Sequence, residues 1–192
     1  MRIPKGIEET DIALFKMVHI DWANDFFDFL MPHLRDPWTW VPVYAFLLYF
    51  MWTRYKMDGL YWCIIFIITF GICDVTSASI LKPIFNRLRP CNDPELMDGI
   101  RQLVRCGIGK SFPSAHSSNH FGLSFFIIFT LGKKYKWVVP LALIWALLVV
   151  YAQVYVGVHF PLDILGGFFV GLISASFTAL LFKKNVSLEL NS

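Results

Sequence analysis

The sequence predicts an all-α integral membrane bundle: five spanning helices preceded by an N-terminal amphipathic helix, with a sixth span as the alternative for that first segment. Three observations predict it. Hydrophobic residues make up 56% of the 192 and charged residues only 16%, against about 25% charged in soluble domains. Mean hydropathy is +0.55. The apolar residues are gathered into long segments with mostly short polar connections, the pattern of antiparallel helix neighbours. The same balance argues against the alternative, a large soluble all-α domain with buried helices, because too little polar surface remains to cover one. No internal repeat, low-complexity linker or second domain interrupts the chain. It reads as one domain over 1–192, with an N-terminal segment at 1–37 and a bundle core at 38–182.

Taken in order, Ile7–Leu30 carries Leu14, Phe15, Val18, Trp22, Phe26, Phe29 and Leu30 at helical spacing, while Asp21, Asn24, Asp25 and Asp28 fall largely on another face. That is an amphipathic helix, lying in the membrane interface or packed against the bundle. Arg2 and Lys5 resemble the start of a signal peptide, but no clean apolar core or cleavage site follows, so the segment is expected to be retained. The five apolar segments are Trp38–Thr53, Leu60–Leu81, His116–Leu131, Trp137–Val156 and Pro161–Phe182. A span takes roughly 20 residues, with about 17 as the lower limit, so the first and third need flanking residues to cross. Gly166, Gly167 and Gly171 in the fifth segment include a Gly-x-x-x-Gly step, which favours close helix packing in lipid.

With five crossings, one end of the bundle carries Arg54, Lys56, Lys133, Lys134, Lys136, Lys183 and Lys184. The positive-inside rule makes that end cytoplasmic. The other end carries the long 82–115 loop, which is also basic through Lys82, Arg87, Arg89, Arg101, Arg105 and Lys110. The conflict eases if several of these cations serve a binding site rather than topology. The expectation is therefore a cytoplasmic (inner) membrane protein of a bacterium with its polar clusters on the periplasmic, outer face.

Topology brings those clusters together. Lys82 ends the second segment and His116 begins the third; Gly157 ends the fourth and Pro161 begins the fifth. Because successive helices alternate direction, all four ends share one face. Lys82 and Arg89, with Arg87 as a third cation, sit near the bilayer, where a charge without a partner is costly and a functional reading is the default; snorkelling to headgroups is the structural alternative. Phe112-Pro113-Ser114-Ala115-His116 leads straight into a helix, whose free N–H groups and serine hydroxyl make an anion site, or an ordinary serine N-cap. His159 and Asp163 lie four apart, a nucleophile or base and the carboxylate that orients it. Cations, a helix N-terminus and two histidines suit phosphoryl transfer: charge neutralisation on the phosphoryl oxygens, attack by His159 to give a phosphohistidine, and His116 as acid toward the leaving oxygen.

At these residues the sequence resembles the type 2 phosphatidic acid phosphatase family of membrane lipid phosphatases, whose three signatures read K-x6-R-P, P-S-G-H and S-R-x5-H-x3-D. Here they stand as KPIFNRLRP at Lys82–Pro90, PSAH at Pro113–His116 and AQVYVGVHFPLD at Ala152–Asp163, in order and in register. The resemblance covers Trp38 to Phe182. It implies that Lys82, Arg89 and Ser114 bind phosphate, that Ala115 and Gln153 occupy two further phosphate-binding positions, that His116 is the acid, His159 the nucleophile and Asp163 its orienter, and that no metal or other cofactor is needed. It also implies a phospholipid or polyprenyl phosphate substrate in the bilayer: a polyprenyl diphosphate, phosphatidic acid or phosphatidylglycerol phosphate, or lipid A. Nothing points to nucleic acid, and no feature specifies an oligomer.

Two departures stand out. Ala115 replaces the family glycine, which is tolerable unless the backbone needs positive φ. Ala152-Gln153 replaces Ser-Arg, exchanging a bidentate cation for a neutral amide at a cost of roughly 1.5–3 kcal/mol of phosphate binding. Arg87, Arg101 and Arg105 are the candidates to compensate. The expectation is an active enzyme with altered phosphate selectivity; the rivals are a catalytically weakened lipid-binding or transport protein, and a phosphotransferase using the same residues. Cys91 and Cys106 flank the loop between the first two motifs, where a disulfide would form if the loop faces an oxidising compartment. Cys63 and Cys73 lie in an apolar segment and read as inert small hydrophobes. His116 and His120, four apart, share a helical face, but the surrounding cations argue against a metal there. Asp74 is an intramembrane carboxylate read as a packing residue or as a partner for a site cation.

Overall fold

Asp36 stands between two helices and serves both: it ends the N-terminal segment in an extended conformation, and its carboxylate accepts the backbone N–H of Trp38 at 3.2 Å, capping the helix that Pro37 begins. The computed structural model describes residues 3–186 and 188, and among them there are helices and loops but no strand. In chain order these are α1 (Lys5–Lys16), prolonged by a π-helical turn at Met17–Asp21, α2 (Asp25–Arg35), α3 (Pro37–Asp74), a second π-helical stretch at Val75–Leu81 running into the short α4 (Lys82–Phe85), then α5 (Ala115–Leu131), α6 (Val138–Tyr155) and α7 (Pro161–Asn185).

The N-terminal segment is two helices where the periodicity predicts one. Asn24 is extended (φ −159°, ψ 157°), and its side chain accepts the N–H of Phe27 at 2.9 Å, so it starts α2 instead of sitting on a polar face. The break is pinned from outside: Asn24 N–H donates to the Tyr155 hydroxyl at 3.1 Å, and that hydroxyl donates to Asp28 at 2.6 Å. Both helices pack against the bundle, burying Phe15 and Met31 and leaving Leu14, Trp22, Phe26 and Phe29 outward. Arg2 lies outside the described residues.

Three stretches are long and apolar enough to cross a membrane: Pro37–Phe85, Val138–Tyr155 and Pro161–Asn185. The first, at 49 residues, would be about 70 Å long if straight, more than twice the hydrocarbon thickness. It is broken at Lys56 (φ 52°, ψ −121°), where the chain folds back on itself. Gly59 then packs so close to the Met51 carbonyl that a Cβ would collide with it. At 17 residues, α5 is just long enough to span, and it is the most enclosed helix, packed by α3, α6 and α7.

Small residues let α5 and α7 approach. A Cβ on Gly167 would lie 2.5 Å from the Ser114 carbonyl, and one on Gly171 2.6 Å from the Gly122 nitrogen. Hydrogen bonds cross between helices where lipid offers no competitor: Thr69 to Thr178 at 2.8 Å, Ser77 with Ser118 at 2.7 Å, Trp62 to Thr130 at 2.8 Å. Trp62, Phe66, Phe126 and Phe182 fill the core between them, while Phe46, Ile64, Leu141, Ile173, Phe177 and Leu180 face outward, as lipid requires. The fold is that of an integral membrane protein. At one end Tyr55 and Tyr135 share a hydrogen bond at 2.8 Å under Lys134; at the other end lie the three motifs.

Candidate active site

His159 sits in the turn between α6 and α7. Gly157 makes that turn with φ +82°, and a Cβ there would meet the His19 ring at 3.0 Å, so the position calls for glycine. The His159 ring is 1% exposed. Its Nδ1 faces Asp163 Oδ2 at 3.3 Å and the Ser111 hydroxyl at 3.4 Å. Its Nε2 faces Arg89, whose Nη1 donates to it at 3.3 Å. A neutral ring with the proton on Nδ1 satisfies every one of these contacts and leaves the lone pair on Nε2, on the cationic side. Burial pushes His159 down to about 4; Asp163 opposes this, and the charges of Arg89 and Lys82 add to it. The ring is therefore neutral near pH 7, with its lone pair on Nε2.

Asp163 is fully buried at the first turn of α7 and has four polar partners. Oδ2 accepts the Phe160 N–H at 2.8 Å and the Ser111 hydroxyl besides facing His159. Oδ1 accepts Arg87 Nη1 at 2.9 Å. Arg87 in turn reaches Asp11 at 2.6 Å and lies over the Phe160 ring at 4.0 Å, and Asp11 accepts the Leu162 N–H at 2.7 Å. Asp163 is thus bound on every side, which fixes the plane and tautomer of His159.

Arg89 is anchored through Nε to the Gly109 carbonyl at 2.9 Å and through Nη1 to the Val158 carbonyl at 3.3 Å. Lys82, on α4, lies within Coulombic reach of Arg89, Asp74 and Asp163. Ser114 caps α5, its hydroxyl accepting the Ser117 N–H at 3.3 Å, and its own N–H donates to the Asp163 carbonyl at 3.0 Å, which ties the second motif to the third. Ala115 is helical, and the described non-glycine residues with positive φ are Lys56 and Asn86, so its methyl is accommodated. The rings of His116 and His120 are stacked at 6.3 Å. A cavity of about 560 Å³ opens beside them, lined by Trp38, Tyr44, Phe66, Phe70 and both histidines. Asp74 faces the same cavity, and its partner is the Asn119 amide at 3.0 Å.

Of the residues expected at the site, the structure brings His159, Asp163 and Arg89 into direct contact and places Lys82, His116, Ser114 and Ala115 around them. Gln153 makes none of these contacts: it is fully buried on α6, and both atoms of its amide lack a partner. Two of the three arginines expected to compensate for it are engaged elsewhere: Arg87 is held between Asp11 and Asp163, and Arg101 is bonded to Asp28 at 2.6 Å and to the His19 carbonyl, while Arg105 is exposed. Cys91 and Cys106 form a disulfide, with Cα atoms 6.0 Å apart. Asp11 and Ser111 were not legible as site residues. Each is an ordinary polar residue in its own stretch of sequence, and only the packing of α1 and of the long loop against α7 gives it a role.

A helical membrane bundle with a cation-flanked, carboxylate-oriented histidine at one end is the form of a membrane phosphatase. A family model, the PAP2 superfamily, matches residues 59–187. The chain is 32% identical over 168 residues to a lipid A 4'-phosphatase of Bacteroides thetaiotaomicron, covering 86% of this chain and 72% of that protein. It is 36% identical over 146 residues to a lipid A 4'-phosphatase of Porphyromonas gingivalis, covering 73% of this chain but 59% of that longer protein. Among solved structures, a transmembrane PAP2-type phosphatidylglycerolphosphate phosphatase of Bacillus subtilis superposes with a TM-score of 0.72 at 27% identity, over 96% of this chain and 89% of that one. The chain belongs to the PAP2 superfamily and is a membrane lipid phosphatase.

Proposed function

We propose that the chain removes a phosphate from lipid A, at the outer face of a bacterial cytoplasmic membrane, through a phosphohistidine on His159. The observation that carries the mechanism is the pairing of the two ring nitrogens: Nδ1 held by Asp163 and Nε2 presented to Arg89. In the first step Nε2 attacks phosphorus, the bond to the leaving oxygen breaks, and His116 supplies the proton that oxygen needs. In the second step water attacks the phosphohistidine, His116 takes its proton, and inorganic phosphate leaves with Nε2 restored. Lys82, Arg89 and the N–H groups at the start of α5 neutralise the phosphoryl oxygens.

Substrate class is supported by the two relatives named for lipid A and by the largely apolar cavity between α3 and α5 that His116 helps to line, which suits an acyl chain entering from the bilayer. The outer face is supported by the positive-inside rule, under which the end carrying Lys133, Lys134, Lys136, Lys183 and Lys184 is the cytoplasmic one. The disulfide at the opposite end suits an oxidising compartment. The chain acts as one unit, since Asp11 of the N-terminal segment braces the site from outside the family's core. The test is phosphate release in detergent, with chelator present, from lipid A, a polyprenyl diphosphate and phosphatidic acid. Chelator-resistant release favouring lipid A and abolished by His159→Ala is expected. Preference for another lipid would overturn the substrate, and unchanged turnover in His159→Ala would overturn the mechanism.

A further inference from the structure

A guanidinium beside the site has no partner to explain it. Arg35, the last residue of α2, is half-buried; its Nε is buried without a hydrogen-bond partner, and none of the ion pairs among the described residues includes it. Its neighbour Asp36 is exposed and occupied in capping α3. Arg35 lies within Coulombic reach of Arg89 and His116, so two guanidinium groups approach one another beside the site. Burial lowers the Arg89 guanidinium from its ordinary value; Asp163 opposes the shift and Arg35 adds to it.

The packing of α2 explains how it comes to be there. Met31, 2% exposed, packs with Leu34 against Ala152, Tyr155, Val156 and Val158, the end of α6 and the turn before His159. Arg35 follows Met31 by four residues on the same helix face, one turn further along. The end of α2 is fixed by Trp40 Nε1 donating to the Leu34 carbonyl at 2.7 Å and by Thr39 donating to the His33 carbonyl at 2.7 Å. The α6 residue beside Ala152 is Gln153, whose buried amide has no partner on either atom. A cation without an acid partner beside a second cation is costly in a protein alone and is relieved by a polyanion.

We infer that Arg35 is a phosphate ligand of this site, supplying from the N-terminal segment the guanidinium that position 153 lacks. The anion it suits is a phosphate monoester dianion, or inorganic phosphate as product. This assignment rests on the phosphatase reading for its substrate but can be tested apart from it. The experiment measures inorganic phosphate affinity by calorimetry, and kcat/KM for lipid A, on purified protein in detergent. Arg35→Met, which keeps the apolar stem, should weaken phosphate binding roughly ten- to a hundredfold, and Arg35→Lys by less. Gln153→Arg added to Arg35→Met should restore most of the loss, which repair of packing alone would not do. Unchanged phosphate affinity in Arg35→Met, or loss of affinity that Gln153→Arg leaves untouched, overturns the assignment. If Arg35→Met does not fold, unchanged affinity in Arg35→Lys together with no gain from Gln153→Arg in that background overturns it equally. Arg35-dependent phosphate binding without turnover of lipid A would sink the lipid A reading and leave the ligand assignment standing.

Discussion

Arg87 holds Asp163 by Oδ1 at 2.9 Å and thereby leaves Oδ2 to His159. The cation in the middle of the first motif is spent on the carboxylate behind the histidine, and the cation two residues later, Arg89, faces the ring from the front. Two arginines of one short segment thus address opposite nitrogens of the same imidazole, one directly and one through Asp163.

Breaking the Arg87 pair should be expensive. Its side chain is 9% exposed, and its removal leaves Asp11 and Asp163 as two uncompensated buried carboxylates. Arg87→Met is expected to destabilise the protein by about 3–5 kcal/mol, read as a lowered melting temperature in detergent, and to abolish turnover. Adding Asp11→Asn should recover part of the stability without the activity. A melting temperature unchanged by Arg87→Met would contradict the pairing.

The pH dependence has a definite sign. His159 titrates near 4 in the folded protein, below the unfolded value of about 6.5. As pH falls the unfolded chain takes up the proton first, so stability associated with this group is complete above about 6.5 and is lost as pH falls toward 4. His19, also lowered by burial, acts in the same direction. The acid limb of kcat/KM, which reports the free enzyme, should accordingly lie nearer 4 than 6.5. His159→Asn should flatten the loss of stability between those values. An acid limb at 6.5 would mean that the nucleophile is not held neutral by burial.

The disulfide closes a loop of 15 residues in sequence separation, for which chain-entropy arguments give about 3 kcal/mol. Just beyond Cys106 lie Gly107, whose carbonyl accepts from Asn92 inside the loop at 3.0 Å, and Gly109, whose carbonyl anchors Arg89. The Cys91→Ser/Cys106→Ser double variant is expected to melt earlier and to show a raised KM, because the phosphate-facing arginine loses its support. Equal melting curves with and without reductant would contradict a structural role for the bridge.

How much of this was legible in the sequence depends on the range of the forces involved. Five apolar segments fall within a few residues of their helices, because lipid burial is written into composition and the turns into Lys56, Gly157 and Pro161. His159, Asp163 and Arg89 were legible because motif spacing and helix alternation bring them to one face. The break at Asn24 was missed because a cap and a polar-face residue have the same composition; only the Tyr155 hydroxyl distinguishes them. Asp11, Ser111 and Arg35 were missed for a different reason. Their roles come from how α1, α2 and the 86–114 loop pack on α6 and α7, contacts between segments far apart in the chain that no local pattern records.

The most direct measurement is to trap the intermediate. Protein is mixed with lipid A carrying labelled phosphate, quenched in alkali, and mapped for a phosphoryl group on the chain. Attack by Nε2 predicts an acid-labile, alkali-stable label on His159, absent in His159→Ala, with turnover lost in the same variant. Turnover that persists in His159→Ala, or a label found on another residue, would contradict it.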